Sequence, residues 1–122
     1  MRFLAFTLLS LIPACQADET LRVWTLSEIN GQPFPARATL TLSEKGAISG
    51  KAPCNRYSAS MTVPYPWFEA GPIRSTKMAC PDLTAEAQFF EALGAMTLSE
   101  VLGNVLILST PEGRKMVFKV GD

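Results

Sequence analysis

Two short stretches hold most of the reactive chemistry in this 122-residue chain: Cys54-Asn55-Arg56-Tyr57-Ser58 and Ser75-Thr76-Lys77-Met78-Ala79-Cys80. Each places a basic side chain near a cysteine. Arg56 or Lys77 could stabilise a Cys54 thiolate, which makes Cys54 the candidate nucleophile, although a disulfide uses the same sulfur more simply. Other catalytic arrangements are closed off by composition. The chain has no histidine, which removes Ser-His-Asp and Cys-His arrangements and zinc hydrolysis of the usual kind. Its carboxylates are scattered: Glu86 and Glu91 share a helical face poorly, and no calcium-loop cluster appears. The residues therefore predict no enzyme, no metal site and no cofactor. Two roles remain. Arg56, Tyr57 and Lys77 can form a basic and aromatic patch for an acidic or carbohydrate-bearing partner. Alternatively the same residues make a hydrogen-bonded corner, with Asn55 fixing a turn, Arg56 satisfying carbonyls, and Tyr57 and Met78 filling the end of the fold.

What must position these stretches is one small domain. Hydrophobic residues make up 48% and charged residues 18% of the chain, a globular composition. Eleven basic and eleven acidic side chains cancel, so nothing general draws it to nucleic acid. The N-terminus reads as an export signal: Met1-Arg2 is positive, and Phe3 to Ile12 is an apolar run of about ten residues, too short to span a bilayer. It ends in Leu11-Ile12-Pro13-Ala14-Cys15, which resembles the bacterial lipobox. On that reading residues 1–14 are a lipoprotein-type signal peptide, Cys15 is lipidated, residues 15–20 are a tether, and residues 21–122 are the domain. The lipid would hold a monomer on the periplasmic face of a bacterial membrane. Ordinary cleavage after Ala17 would instead leave a soluble periplasmic or secreted protein. Either route removes Cys15 from the count of three cysteines. Cys54 and Cys80 then form an even pair, which in an oxidising envelope favours a disulfide. Two buried free thiols are the competing state.

Along the chain, residues 21–29 read as a strand closed by the turn dipeptide Asn30-Gly31, followed by a proline-containing loop at 32–35. Residues 38–43 and 47–52 alternate as a hairpin around Gly46, with Gly50 marking a bulge or a close backbone approach. Residues 53–58 are too polar for a strand and predict a structured turn, after which 59–63 and 68–73 are strands around a crossing rich in proline and aromatics. A helix is expected from about 82 to 94, with Pro81 in its first turn; Ala87, Phe90 and Leu93 point inward, and Glu86 and Glu91 point elsewhere. Strands at 98–102, 105–109 and 115–120 complete the chain. The sum is an α+β fold, mostly antiparallel: a small roll or partly open barrel of about eight short strands with one helix packed against it.

From Ser49-Gly50 through Cys54-Asn55-Arg56-Tyr57-Ser58 to Ser75-Thr76-Lys77-Met78-Ala79-Cys80-Pro81, the chain resembles the META domain family, the HslJ-like envelope proteins. Its segments are similar to the family's G-x-x-x-C-N-R-[FY]-S-G and T-[RK]-M-x-C patterns. Trp24-Thr25-Leu26 and Asn30-Gly31 extend the resemblance over nearly the whole mature chain. Ala59 stands where the family often has glycine. The resemblance implies a compact β-rich fold with one helix, on a lipoprotein or secreted protein. It also implies an accessory or stress-response role (heat shock, drug resistance) without an agreed catalytic activity, carried out by binding an envelope protein or glycan, or through a purely structural or inhibitor-like interaction domain. Carried over by motif position, Cys54, Asn55, Arg56, Tyr57, Thr76, Lys77, Met78 and Cys80 are the residues of interest.

Overall fold

The computed structural model describes residues 22–43 and 45–120. The expected signal peptide, the tether and Cys15 lie outside the described residues. Nine strands and one helix follow in order: β1 (Trp24–Ile29), β2 (Gln32–Pro33), β3 (Thr39–Ser43), β4 (Ala47–Lys51), β5 (Arg56–Ser60), β6 (Arg74–Ser75), α1 (Leu83–Ala95), β7 (Leu98–Leu102), β8 (Val105–Ser109) and β9 (Lys115–Val120). All pairings are antiparallel, in the order β6-β5-β4-β3-β1-β9-β8-β7, with the short β2 paired to β1. The expected α+β roll is the observed architecture. Residues 61–73 cross from the end of β5 back to β6, and on the way Trp67 forms a bridge to Leu98 of β7. The crossing segment thereby pairs along the β7 edge, and β6 ends the strand order on the other side.

Alternation builds the core. Trp24 and Leu26 of β1, Leu40 of β3, Ile48 of β4, Tyr57 and Ala59 of β5, Leu106 and Leu108 of β8, and Met116 and Phe118 of β9 all point into one buried cluster. α1 adds Phe89, Ala92 and Leu93 to the same cluster, and its C-cap adds Met96. A fully buried Phe or Leu contributes about 1.5–3 kcal/mol, so this shared face sets where the helix lies. Arg114, in the turn between β8 and β9, clamps the outer side of α1 by paired bonds to Glu91 at 2.7 and 3.1 Å. That pair is exposed and orients more than it stabilises.

Four local expectations need correction. Residues 56–60 form a strand, because Tyr57 and Ala59 alternate inward between Arg56, Ser58 and Ser60; polarity on the outward face hides a half-buried strand. The strand expected at 59–63 therefore lies three residues earlier and keeps only Ala59 and Ser60 of that span, 68–73 holds no strand, and Arg74–Ser75 is the one strand described between β5 and the helix. Pro81 precedes the helix cap at Asp82 rather than lying in the first turn. The buried face of α1 is Ala85, Glu86, Phe89, Ala92 and Leu93, so Ala87 is exposed and Glu86 faces the protein.

Gly50 makes the expected close approach. A Cβ at this position would fall on the backbone carbonyl of Thr39, within 2.8 Å of its carbon. Thr39 can then receive Tyr57, whose hydroxyl donates to the Thr39 carbonyl at 2.6 Å. The Tyr57 ring meets Phe89 and Phe90 edge-on, with centroids at 5.4 and 5.6 Å. Burial pushes the phenol of Tyr57 well above the ordinary tyrosine range. Because the folded value lies above the unfolded one near 10, the associated stability is complete below about pH 10 and declines as pH rises beyond it, by up to about 1.4 kcal/mol per pH unit. Guanidinium unfolding of the native protein and of Y57F at pH 7, 10 and 11 should show this. Y57F loses about 1 kcal/mol at pH 7 but has the flatter alkaline profile. Parallel profiles would exclude Tyr57 as the source.

Candidate functional site

The two motifs meet at the start of β5. Cys54 and Cys80 are joined as a disulfide, their Cα atoms 5.6 Å apart and 26 positions apart in sequence. Beside the bridge, Asn55 is buried and all of its side-chain amide is used. Its Oδ1 accepts from the Thr76 hydroxyl at 2.8 Å and from the Met78 amide at 2.6 Å. Its Nδ2 donates to the Met78 carbonyl at 3.0 Å and to Glu86 Oε2 at 2.7 Å. Asn55 thus acts as a backbone substitute, pairing with Met78 as a strand residue would. Arg56 extends the same ladder: its amide donates to Thr76 Oγ1 at 3.2 Å, and its carbonyl accepts from the Thr76 amide at 3.1 Å.

Glu86 completes the corner, and the motifs alone do not reveal it. Its Oε1 accepts from the amides of Cys54 at 2.8 Å and Asn55 at 2.9 Å, while Oε2 takes the Asn55 side chain. The carboxylate is 5% exposed and lies in the first turn of α1, where the helix N-terminus favours negative charge. Charge-assisted bonds to three donors replace the water it loses. Held by two backbone amides and one side-chain amide, this carboxylate fastens the first motif to α1.

Of the residues expected to bind, Asn55 and Tyr57 are buried, so neither contributes to a surface patch. Met78 is 65% exposed and does not fill the end of the roll. Arg56, Thr76 and Lys77 are exposed. With Thr76, Met78, Leu83, Ala87 and Phe90, Lys77 lines a shallow groove of about 400 Å³ between the second motif and α1.

Strand register adds two cations that the motifs do not contain. Lys51 of β4 is the direct cross-strand partner of Arg56, and Arg74 of β6 is the partner of Ser58. Since Tyr57 points inward, Arg56 and Ser58 point outward, and their partners follow. The outer face of β4, β5 and β6 therefore carries Lys51, Arg56 and Arg74 among serines, and these three strands contain no acidic residue. Among the described residues no carboxylate forms an ion pair with Lys51, Arg56, Arg74 or Lys77. A like-charge pair placed directly opposite, as Lys51 and Arg56 are, costs stability. Among the described residues no group of three His, Cys, Asp or Glu side chains converges as a metal site.

This is a small antiparallel roll with a helix, closed at one corner by a disulfide and a buried carboxylate. The chain belongs to the META domain family, whose model matches residues 17–121. The fold is shared by a protein from Burkholderia xenovorans solved by NMR, which is 24% identical with a TM-score of 0.66 over 93% of this chain and 92% of that one. A DUF4847 family protein from Bacteroides vulgatus, solved by crystallography, is 15% identical with a TM-score of 0.63 over 84% and 96% of the two chains. No curated protein matches this sequence.

Proposed function

We propose that this protein is a non-catalytic binding module of the bacterial cell envelope, whose outer β4–β5–β6 face engages an acidic partner. The observation that carries the reading is the opposed Lys51–Arg56 pair, extended by Arg74, on a face without carboxylates. An arrangement that opposes folding is accounted for if an anionic surface covers it. The corner behind it has a supporting task, holding β5 and the second motif rigid so that the cations keep their spacing. Export is supported by the disulfide, which persists in oxidising compartments. Anchorage through Cys15 on the periplasmic face, a monomeric state and an accessory or stress-response role complete the proposal.

The test is the double variant R56A/R74A, made alongside the native protein with a photoreactive residue at Ser58. Both arginines are exposed, so thermal stability should be unchanged or slightly raised as the opposition to Lys51 is relieved. In-cell photocrosslinking should give an adduct with an envelope component that the double variant loses. An adduct equally strong in both proteins would sink the basic-face reading.

A further inference from the structure

At the end of β4 and β5 away from the disulfide, an open cleft of about 500 Å³ lies between the β3–β4 hairpin, the crossing segment and strands β7 and β8. Leu42, Met61, Val63, Tyr65, Val101 and Leu106 form much of its wall, and among the described residues no charged side chain lines it. That volume is in the range of small-molecule sites, about 300–1,000 Å³. Two polar groups at its edge are already engaged: the Tyr65 oxygen accepts from the Val101 amide at 3.1 Å, and the Ser99 hydroxyl donates to the Pro66 carbonyl at 3.5 Å. Walls so largely aliphatic and aromatic fit a hydrocarbon chain better than an ionic group.

Where the chain enters the domain narrows the choice of occupant. Arg22, the first described residue, donates to the Gly103 carbonyl at 2.6 Å and approaches Asn104 Oδ1 at 3.4 Å, which pins it to the turn directly after Val101 and Leu102. Val23, Tyr65, Val101 and Leu102 are large apolar side chains left exposed on these segments. Cys15 stands seven positions before Arg22 and follows the apolar run from Phe3 to Ile12. Seven residues reach at most about 25 Å. A lipid on Cys15 therefore keeps this rim within about 25 Å of the bilayer surface, where tyrosine and aliphatic side chains partition well.

We infer that the cleft between the β3–β4 hairpin and β7–β8 seats one acyl chain of a membrane phospholipid, with the headgroup left at the rim. The binding is non-covalent. It takes membrane attachment from the proposed function but is independent of the basic face, since Arg56 stands at the opposite end of β5.

The experiment mixes the full chain with phosphatidylcholine vesicles containing a small fraction of the same lipid with a diazirine midway along one acyl chain. Photolysis and peptide mapping should place adducts on residues 61–65 and 98–106, and excess lysophosphatidylcholine should compete them away in the unmodified protein. V101E and V63E, which put a carboxylate into the cleft from different segments, should each cut these adducts about tenfold. L102E changes the neighbouring exposed residue outside the lining and should leave them unchanged. A chain that does not float with vesicles overturns both the attachment and the cleft. A floating chain labelled only before Arg22, labelled evenly over its surface, labelled in the cleft without competition, or weakened equally by V101E and L102E overturns the cleft alone.

Discussion

Glu86→Ala should lower the unfolding free energy by about 4 kcal/mol, because it removes the shared acceptor of three donors at a buried position. For a domain of this size the loss corresponds to a fall in melting temperature of roughly 15–25 °C. Glu86→Gln separates the contributions of charge and geometry. An amide oxygen can still accept from the Cys54 and Asn55 backbones, but its NH2 group then faces the Asn55 NH2, two donors opposed. The glutamine variant should therefore lose about half as much as the alanine variant. Urea unfolding of the two variants decides the matter, and equal stability of E86A and the native protein would remove Glu86 from the corner.

Removing the disulfide is the second large effect. The bridge closes a loop with a sequence separation of 26 residues, and on the chain-entropy model C54S/C80S should cost about 3–4 kcal/mol. A dithiol reductant acting on the native protein should reproduce that loss, which is read as a shift in the urea midpoint. A midpoint insensitive to reductant would mean that the bridge contributes nothing to the fold. Glu86 and the bridge hold adjacent backbone at Cys54, so their effects couple, and a double-mutant cycle should give an interaction energy of at least about 0.5 kcal/mol. Against a total stability of roughly 5–15 kcal/mol, losing both should remove about half of it or more.

Much of the corner is legible in the residues. Cys54 and Cys80 stand as an even pair, Asn55 has the short amide suited to replacing a backbone partner, and Gly50 marks a backbone approach that admits no Cβ. Tyr57 is the instructive case. As a residue type it suits either an exposed aromatic tip or a buried ring, and only the alternation of β5 places it inward against Phe89 and Phe90. Its polar neighbours Arg56, Ser58 and Ser60 mask a strand that is half buried. Helical spacing misplaces Glu86 for a related reason. A carboxylate is assigned to solvent by its type, and the donors that make its burial favourable come from Cys54 and Asn55, more than 30 positions earlier.

By itself the amino-acid sequence determined the class of fold, the family, the cysteine pair and the exclusion of histidine-based chemistry. Each of these is local or countable: alternation with period two, turn dipeptides, motif spacing and composition. Tertiary structure alone decided which motif residues are surface and which are interior, that Glu86 closes the corner, and that Lys51 and Arg74 join Arg56 on one face. Those facts depend on strand register and on bonds between distant positions. A one-residue slip in register would turn every side chain of β5 to the opposite face, and no local pattern records which register wins.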